Sequence, residues 1–187
     1  MRGIKKISYN APVILTFTFL ALVSLILGFI TKGASTTMFF TAYRDHLTSP
    51  LFYLRLLTHV LGHADLAHFT SNFMVILLVG PMLEEKYTSQ RLAFMIIVTA
   101  FITGVINVLF FKTGLLGASG IAFMLIVLSS FTNTRDNKIP LTFILVGILY
   151  LGNELLTSFT SLDNISQLTH IVGGICGGIF GFILNKR

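Results

Sequence analysis

Ser119 and His170 lie within two long apolar stretches of the sequence, and their side chains are a pair that can catalyse hydrolysis. A histidine that takes the proton from a serine hydroxyl makes the serine oxygen a nucleophile. His68 and Asn72 lie four residues apart in a third apolar stretch. Because ionisable groups are costly in an apolar surrounding, polar residues at such positions indicate a functional site.

Each of these residues also has a purely structural interpretation. A serine in a membrane helix usually hydrogen-bonds to its own backbone or allows close packing, and a histidine there can join two helices. Gly173 and Gly177 follow His170 at helical spacing, which predicts a face where another helix approaches closely. Such packing would hold that helix near the imidazole, so it also supports a catalytic role.

Other hydrolytic chemistries lack the residues they need. His59, His63 and His68 could be metal ligands, but no glutamate stands in an HExxH setting and no acidic residue lies within a span to complete a zinc site. The spans also hold no aspartate for a carboxylate dyad and no lysine for a Ser–Lys pair. The single cysteine, Cys176, excludes a disulfide framework. The sequence therefore predicts no metal site and no cofactor.

The composition places these residues in a membrane. Of the 187 residues, 54% are hydrophobic and 11% are charged, whereas soluble domains carry about 25% charged residues. This excludes a water-soluble enzyme, a disordered tail and a nucleic-acid-binding module.

The intervals between charged residues predict six membrane spans, since a spanning helix needs about 20 apolar residues. These intervals are 7–31, 66–83, 92–111, 113–134, 139–153 and 164–185. The fifth is short and spans only if its helix continues past Glu154. The predicted fold is an all-α membrane protein, a six-helix bundle formed by a single domain over residues 1–187.

Basic residues predict the orientation of this bundle. With the N-terminus in the cytoplasm, nine Lys and Arg residues fall in inner segments: Arg2, Lys5, Lys6, Lys86, Arg91, Arg135, Lys138, Lys186 and Arg187. Four fall in outer segments: Lys32, Arg44, Arg55 and Lys112. The positive-inside rule therefore predicts that both termini are cytoplasmic. The long segment 32–65 mixes apolar clusters with charges, which favours a partly embedded interfacial loop.

Spans two, four and six then run in one direction, from outside to inside. Each carries its polar residues near the outer end: His68 with Asn72, then Ser119, then His170. At about 1.5 Å of rise per residue, these side chains lie within about 10 Å of one another in depth. The predicted bundle therefore brings a serine and a histidine to one level.

Taken together, these motifs resemble those of the rhomboid family of intramembrane serine proteases. The resemblance is carried by Gly117-Ala118-Ser119-Gly120, by His170 with Gly173 and Gly177, and by His63, His68 and Asn72. These are similar to the family's GxSG at the start of the fourth span, to the histidine-and-glycine pattern of the sixth, and to the paired histidines and asparagine entering the second. The resemblance covers most of the chain from Leu54 to Gly181, with a rhomboid-like core at about 50–185.

The resemblance implies a Ser–His dyad, in which Ser119 is the nucleophile and His170 is the general base and then the acid. His68 and Asn72, with the backbone N–H of Ser119, would stabilise the tetrahedral oxyanion. The implied activity is cleavage of transmembrane protein substrates near the outer face of a bacterial cell membrane.

Supporting residues are implied in the same way: Phe123 packs against the imidazole, His63 has a structural role at the top of the second span, and Arg55 and Glu84 are structural polar residues in a loop and at a helix end. Two positions depart from the family pattern. Leu54 stands where a tryptophan is usual, and Thr88 stands where a glycine is usual.

Two other functions remain open at this point. A non-proteolytic rhomboid-like protein would use the same bundle to bind or chaperone membrane proteins. A small transporter would line a path with its polar residues, but the sequence shows neither the inverted repeats nor the broken helices typical of transporters. The expected partners are transmembrane substrates and the lipid bilayer, with no nucleic acid; one chain suffices for the chemistry, and the oligomeric state is open.

Overall fold

A computed structural model describes residues 8–132, 139–142, 144–145, 148–149 and 164–184. Its elements are α1 (Pro12–Ile30), α2 (Ala34–Phe39), α3 (Pro50–Thr58), a 3₁₀ helix (His59–Leu61), α4 (Leu66–Tyr87), α5 (Ser89–Phe110), α6 (Ser119–Ser129) and α7 (Asn164–Leu184). In this described part the fold is all-α, and the pairing of Ala42 with Leu115 is an isolated bridge.

Four helices are long and apolar enough to cross a membrane: α1, α4, α5 and residues 167–184 of α7. Their outer faces carry large apolar side chains, and Phe29, Leu78 and Phe110 are 59%, 75% and 72% exposed. Contiguous apolar faces of this size are stable against lipid rather than water. The chain is an integral membrane protein.

The fourth predicted span differs from the helix that forms. The interval 113–134 predicted a full-length span, but α6 has 11 residues and begins only at Ser119. The preceding residues form a loop, because Gly117 has a φ of +122° and Leu115 is held by its backbone bonds to Ala42. The fifth predicted span, 139–153, lies mostly outside the described residues, and those of its residues that are described include helical ones.

Helix α6 lies among α4, α5 and α7, and seven of its 11 residues are buried. Ile121, Met124, Leu125 and Leu128 are fully buried in the apolar core. Burial of this kind makes α6 a fixed support for the residue at its N-terminus.

Glu84 joins the end of α4 to the start of α1. Its carboxylate accepts hydrogen bonds from the N–H groups of Val13 (2.9 Å) and Ile14 (3.0 Å) and from the hydroxyl of Ser89 (2.7 Å). First-turn N–H groups have no partner within their own helix and carry a positive partial charge. The buried carboxylate therefore satisfies two of them and stabilises the contact between α1 and α4.

Basic side chains lie at the C-terminal ends of two other helices. Arg44 donates to the carbonyl oxygens of Val108 and Leu109 at the end of α5. Lys86 donates to the carbonyl oxygen of Thr132 (2.9 Å), just after α6. Cations are favourable at these ends because the last carbonyls carry a negative partial charge.

Arg55 organises the segment between α1 and α4, which contains α2, α3 and the 3₁₀ helix. Its guanidinium is buried, donates to the Tyr43 hydroxyl and forms an ion pair with Asp45. The N–H of His46 and the Arg55 guanidinium hold the pKa of the Asp45 carboxyl below its usual value. The segment is thus structured by a buried cation rather than being an extended linker.

Candidate active site

Helices α6 and α7 pack backbone against backbone. A Cβ atom at Gly173 would lie 2.1 Å from the carbonyl oxygen of Gly120, and one at Gly177 would lie 2.3 Å from that of Met124. Neither position has room for a side chain. The close helix approach predicted from the glycine spacing is confirmed, and the approaching helix is α6.

The register of these two helices places Ser119 and His170 at the same end of the pair. Ser119 is the first residue of α6, and His170 lies in the second turn of α7. A Cβ atom at Gly120 would lie 3.0 Å from Cγ2 of Thr169 and 3.4 Å from its carbonyl oxygen. Since Ser119 adjoins Gly120 and His170 adjoins Thr169, the two predicted catalytic residues lie at one level.

Phe123 holds the imidazole of His170. The two rings are stacked with centroids 4.2 Å apart and an angle of 5° between their planes. Phe123 follows Ser119 by one helical turn, so both side chains lie on the same face of α6. The stack therefore keeps the imidazole on the face of α6 that carries the serine. All three side chains are partly exposed.

His63, in the loop before α4, connects three segments of the site. Its Nε2 atom accepts hydrogen bonds from the side-chain amide of Asn72 (3.2 Å) and from the N–H of Ala118 (3.4 Å), and its Nδ1 lies 3.2 Å from the carbonyl oxygen of Leu61. A backbone N–H only donates and a carbonyl only accepts, so the neutral ring with its proton on Nδ1 satisfies all three contacts. Burial lowers the pKa of His63 to about 4, and the charge of nearby His68 acts in the same direction.

His68 lies against the turn that precedes Ser119. A Cβ atom at Gly117 would lie 2.7 Å from Nε2 of His68, and Gly117 has a φ of +122°. Both the backbone conformation and the nearness of the imidazole require glycine at this position. The ring of His68 lies 5.0 Å from that of His63.

Three groups that can donate N–H hydrogen bonds lie near this turn. They are the imidazole of His68, the second N–H of the Asn72 amide and the backbone N–H of Ser119. The Asn72 nitrogen lies 3.8 Å from the position of a Cβ atom at Gly117. The Ser119 N–H lies in the first turn of α6, where amides lack intrahelical partners and the helix dipole is positive. Donors in this arrangement suit a negative charge that forms on a carbonyl oxygen.

The histidines considered as metal ligands have different surroundings. Nε2 of His59 lies 2.9 Å from the carbonyl oxygen of Ala100 on α5, whereas His63 and His68 face the turn before Ser119. Among the residues that the structure describes, no three His, Cys, Asp or Glu side chains form a group that could hold a metal ion.

Asn107 positions the loop before Ser119 and was not singled out from the sequence. Its side-chain amide donates to the carbonyl oxygens of Ala42 (3.0 Å) and Thr113 (3.1 Å). One signal in the sequence could have indicated it. Thr99, Thr103 and Asn107 follow one another at intervals of four residues, which puts three polar side chains on one face of an apolar span. Ala42 lies 65 residues away in the sequence, so the sequence pattern alone does not identify it as a partner.

The protein is thus a helical membrane protein whose polar residues are gathered at one end of its apolar helices. The model of the Rhomboid domain matches residues 51–187. A rhomboid-like protein 7 from Arabidopsis thaliana is 29% identical over 141 residues, which make up 70% of this chain and 42% of that relative. The chain belongs to the rhomboid family. It spans less than half the length of that relative.

Proposed function

We propose that this protein is a serine endopeptidase that cleaves transmembrane segments of other proteins, with Ser119 as nucleophile and His170 as general base. The observation that carries the proposal is the stacking of His170 on Phe123, one helical turn from Ser119, where α6 and α7 pack most closely. Membership of the rhomboid family supports an activity of the same type.

In the proposed mechanism, Oγ of Ser119 attacks the scissile carbonyl carbon while His170 takes the hydroxyl proton. The negative oxygen of the tetrahedral intermediate receives hydrogen bonds from His68, Asn72 and the Ser119 N–H. The imidazole then gives its proton to the leaving amine, and an acyl-serine remains. Water hydrolyses this ester with the imidazole again acting as base and then as acid. The stack on Phe123 orients the imidazole, a task that a carboxylate performs in a Ser–His–Asp triad.

The substrate class follows from the chemistry of a helix in lipid. The hydrogen bonds of an intact helix shield its peptide groups, so a substrate must unwind locally before its carbonyl can be attacked. We infer that substrates carry helix-weakening residues near the membrane surface at which the site opens. We also propose that one chain is sufficient for the chemistry, since Ser119 and His170 lie at one level within the same chain.

The proposed topology has six spans in a bacterial cell membrane. Both termini are cytoplasmic and the site opens to the outer face, as supported by the excess of Lys and Arg in the inner segments.

Cleavage of a model transmembrane substrate by the purified, reconstituted protein tests this proposal. Ser119→Ala and His170→Ala each reduce cleavage to background while the protein remains folded. Ser129→Ala is a matched control, since Ser129 ends the same helix and its hydroxyl donates to the carbonyl oxygen of Ile126. A fluorophosphonate probe labels the wild type and the control but not Ser119→Ala.

Retention of most of the activity by Ser119→Ala would show that the dyad is wrong. A folded wild-type protein that neither cleaves the substrate nor reacts with the probe, but binds the substrate, would instead be a non-proteolytic binder of membrane proteins.

A further inference from the structure

A cavity of about 580 Å³ lies between the C-terminal end of α1, helix α2 and the loops that precede α4 and α6. None of the proposed catalytic or oxyanion residues lines it. Its wall includes the buried side chains of His63 and Thr41 and the backbone of Gly114, so it adjoins the active-site loops from another side.

The polar part of this cavity offers hydrogen-bond donors and one cation. Lys32 and the hydroxyl groups of Thr36 and Thr37 line it. Within the described part of the chain, Lys32 forms no ion pair and these two hydroxyls have no hydrogen-bond partner. The two acidic residues of the same segment are engaged elsewhere, since Asp45 pairs with Arg55 and Asp65 accepts a hydrogen bond from the N–H of His68.

Two carbonyl oxygens at the end of α1 already accept backbone hydrogen bonds. The carbonyl oxygen of Leu27 accepts from the N–H of Thr31 (2.9 Å), and that of Gly28 accepts from the N–H of Gly33 (2.8 Å). Lys32 and the hydroxyl groups of Thr36 and Thr37 offer hydrogen-bond donors and a positive charge, which suit an anion.

Apolar side chains lie on the adjoining surface. Phe29 lines the cavity, and near it Ile30 and Met38 are 72% and 49% exposed at the end of a span. Exposed apolar side chains at the end of a membrane-spanning helix are suited to contact acyl chains. The ligand that fits both surfaces is amphiphilic.

We propose that this cavity binds the phosphate of a membrane phospholipid, with Lys32, Thr36 and Thr37 at the headgroup and the acyl chains along Phe29 and Ile30. A free phosphate compound shares the anionic group but leaves the apolar surface uncovered. The proposal goes beyond the proteolytic function and does not depend on it.

Native mass spectrometry of the purified full chain titrated with phosphatidylglycerol tests the site. Lys32→Gln and Thr37→Val each weaken binding of the lipid, Lys32→Gln by about fivefold, as expected for loss of one cation near a lipid phosphate. Lys112→Gln is the matched control, because Lys112 is an exposed lysine at the same end of the bundle but does not line the cavity. Diacylglycerol, which lacks the phosphate, does not bind at the site.

Soluble glycerophosphate distinguishes the two sources of the anion. It does not displace the lipid at equal concentration if the apolar surface contributes to binding. Equal binding by Lys32→Gln and Lys112→Gln, binding of diacylglycerol as tight as that of the phospholipid, or displacement by glycerophosphate at equal concentration would each overturn the proposal.

Discussion

Asn72 could act in catalysis or only in structure, and its contacts suggest experiments that distinguish the two roles. Its amide donates to His63 (3.2 Å) and also lies beside the turn at Gly117. In the proposed mechanism Asn72 donates to the oxyanion of the transition state, so Asn72→Ala is expected to lower kcat by about 10²–10³ with little change in KM. Ser119 should still react with a small fluorophosphonate. Steady-state cleavage kinetics and probe labelling measure the two effects.

The matched control for Asn72 is Ser71→Ala, since Ser71 is exposed and bonds only to the backbone of its own helix. If Asn72 only joins α4 to the His63 loop, its loss should cost about 1–2 kcal/mol of stability. A variant that is destabilised to this extent but turns over at the wild-type rate per folded molecule would exclude an oxyanion role.

Thr88 occupies a backbone conformation that glycine adopts more easily. It lies between α4 and α5 with φ 74° and ψ 151°, a region that strains a β-branched residue. Thr88→Gly is therefore expected to increase the free energy of unfolding by about 1 kcal/mol. Thr88→Ala is the control at the same position, because it keeps a Cβ atom and the strain. Equal stability of the two variants in reversible unfolding would contradict the backbone explanation.

The close packing of α6 against α7 requires glycine at some positions of α7 but not at others. A Cβ atom at Gly173 would lie 2.1 Å from a backbone oxygen of α6, whereas one at Gly174 would lie 3.6 Å from Cγ2 of Val127, an ordinary contact. Gly173→Ala must therefore separate the helices and move His170 relative to Ser119. We expect it to reduce cleavage by at least about 10²-fold, since small misplacements of reacting groups have effects of this size.

Gly174→Ala is the control, and it should retain most of the activity. Both variants add one methyl group to adjacent positions of α7, so cleavage assays on equal amounts of folded protein compare them directly. Similar activities for the two variants would refute the dependence of the site on this contact.

The whole protein is expected to lose stability as the pH falls from about 6.5 to about 4. The pKa of His63 is lowered from 6.5 to about 4 in the folded protein, mainly by burial. Between these pH values the imidazole of His63 binds a proton in the unfolded chain but not in the folded protein. The free energy of unfolding therefore decreases as the pH is lowered. One histidine contributes up to about 1.4 kcal/mol per pH unit. Protonation of Nε2 would also remove the acceptor for Asn72 and Ala118.

Reversible unfolding in detergent between pH 7.5 and 4.5 measures this dependence. His63→Gln lacks the titrating group, so its stability should decrease less than that of the wild type over the same range. An identical decrease for both proteins would mean that other groups cause it.

Most of the helices and one close helix contact could be predicted from the sequence because they depend on local properties. Lipid requires about 20 consecutive apolar residues, so the charge-free intervals predicted α1, α4, α5 and α7 to within a few residues. The glycine series beside His170 likewise predicted a close helix contact, since helical spacing alone puts these residues on one face.

The tertiary structure decided the features that depend on residues far apart in the chain. Helix α6 begins at Ser119 rather than near residue 113, because Leu115 is held by two backbone hydrogen bonds to Ala42. His63 contacts the turn before Ser119, while His59, four residues earlier, bonds to α5. No local periodicity specifies such partners, since they are set by how the packed helices bring separate segments together.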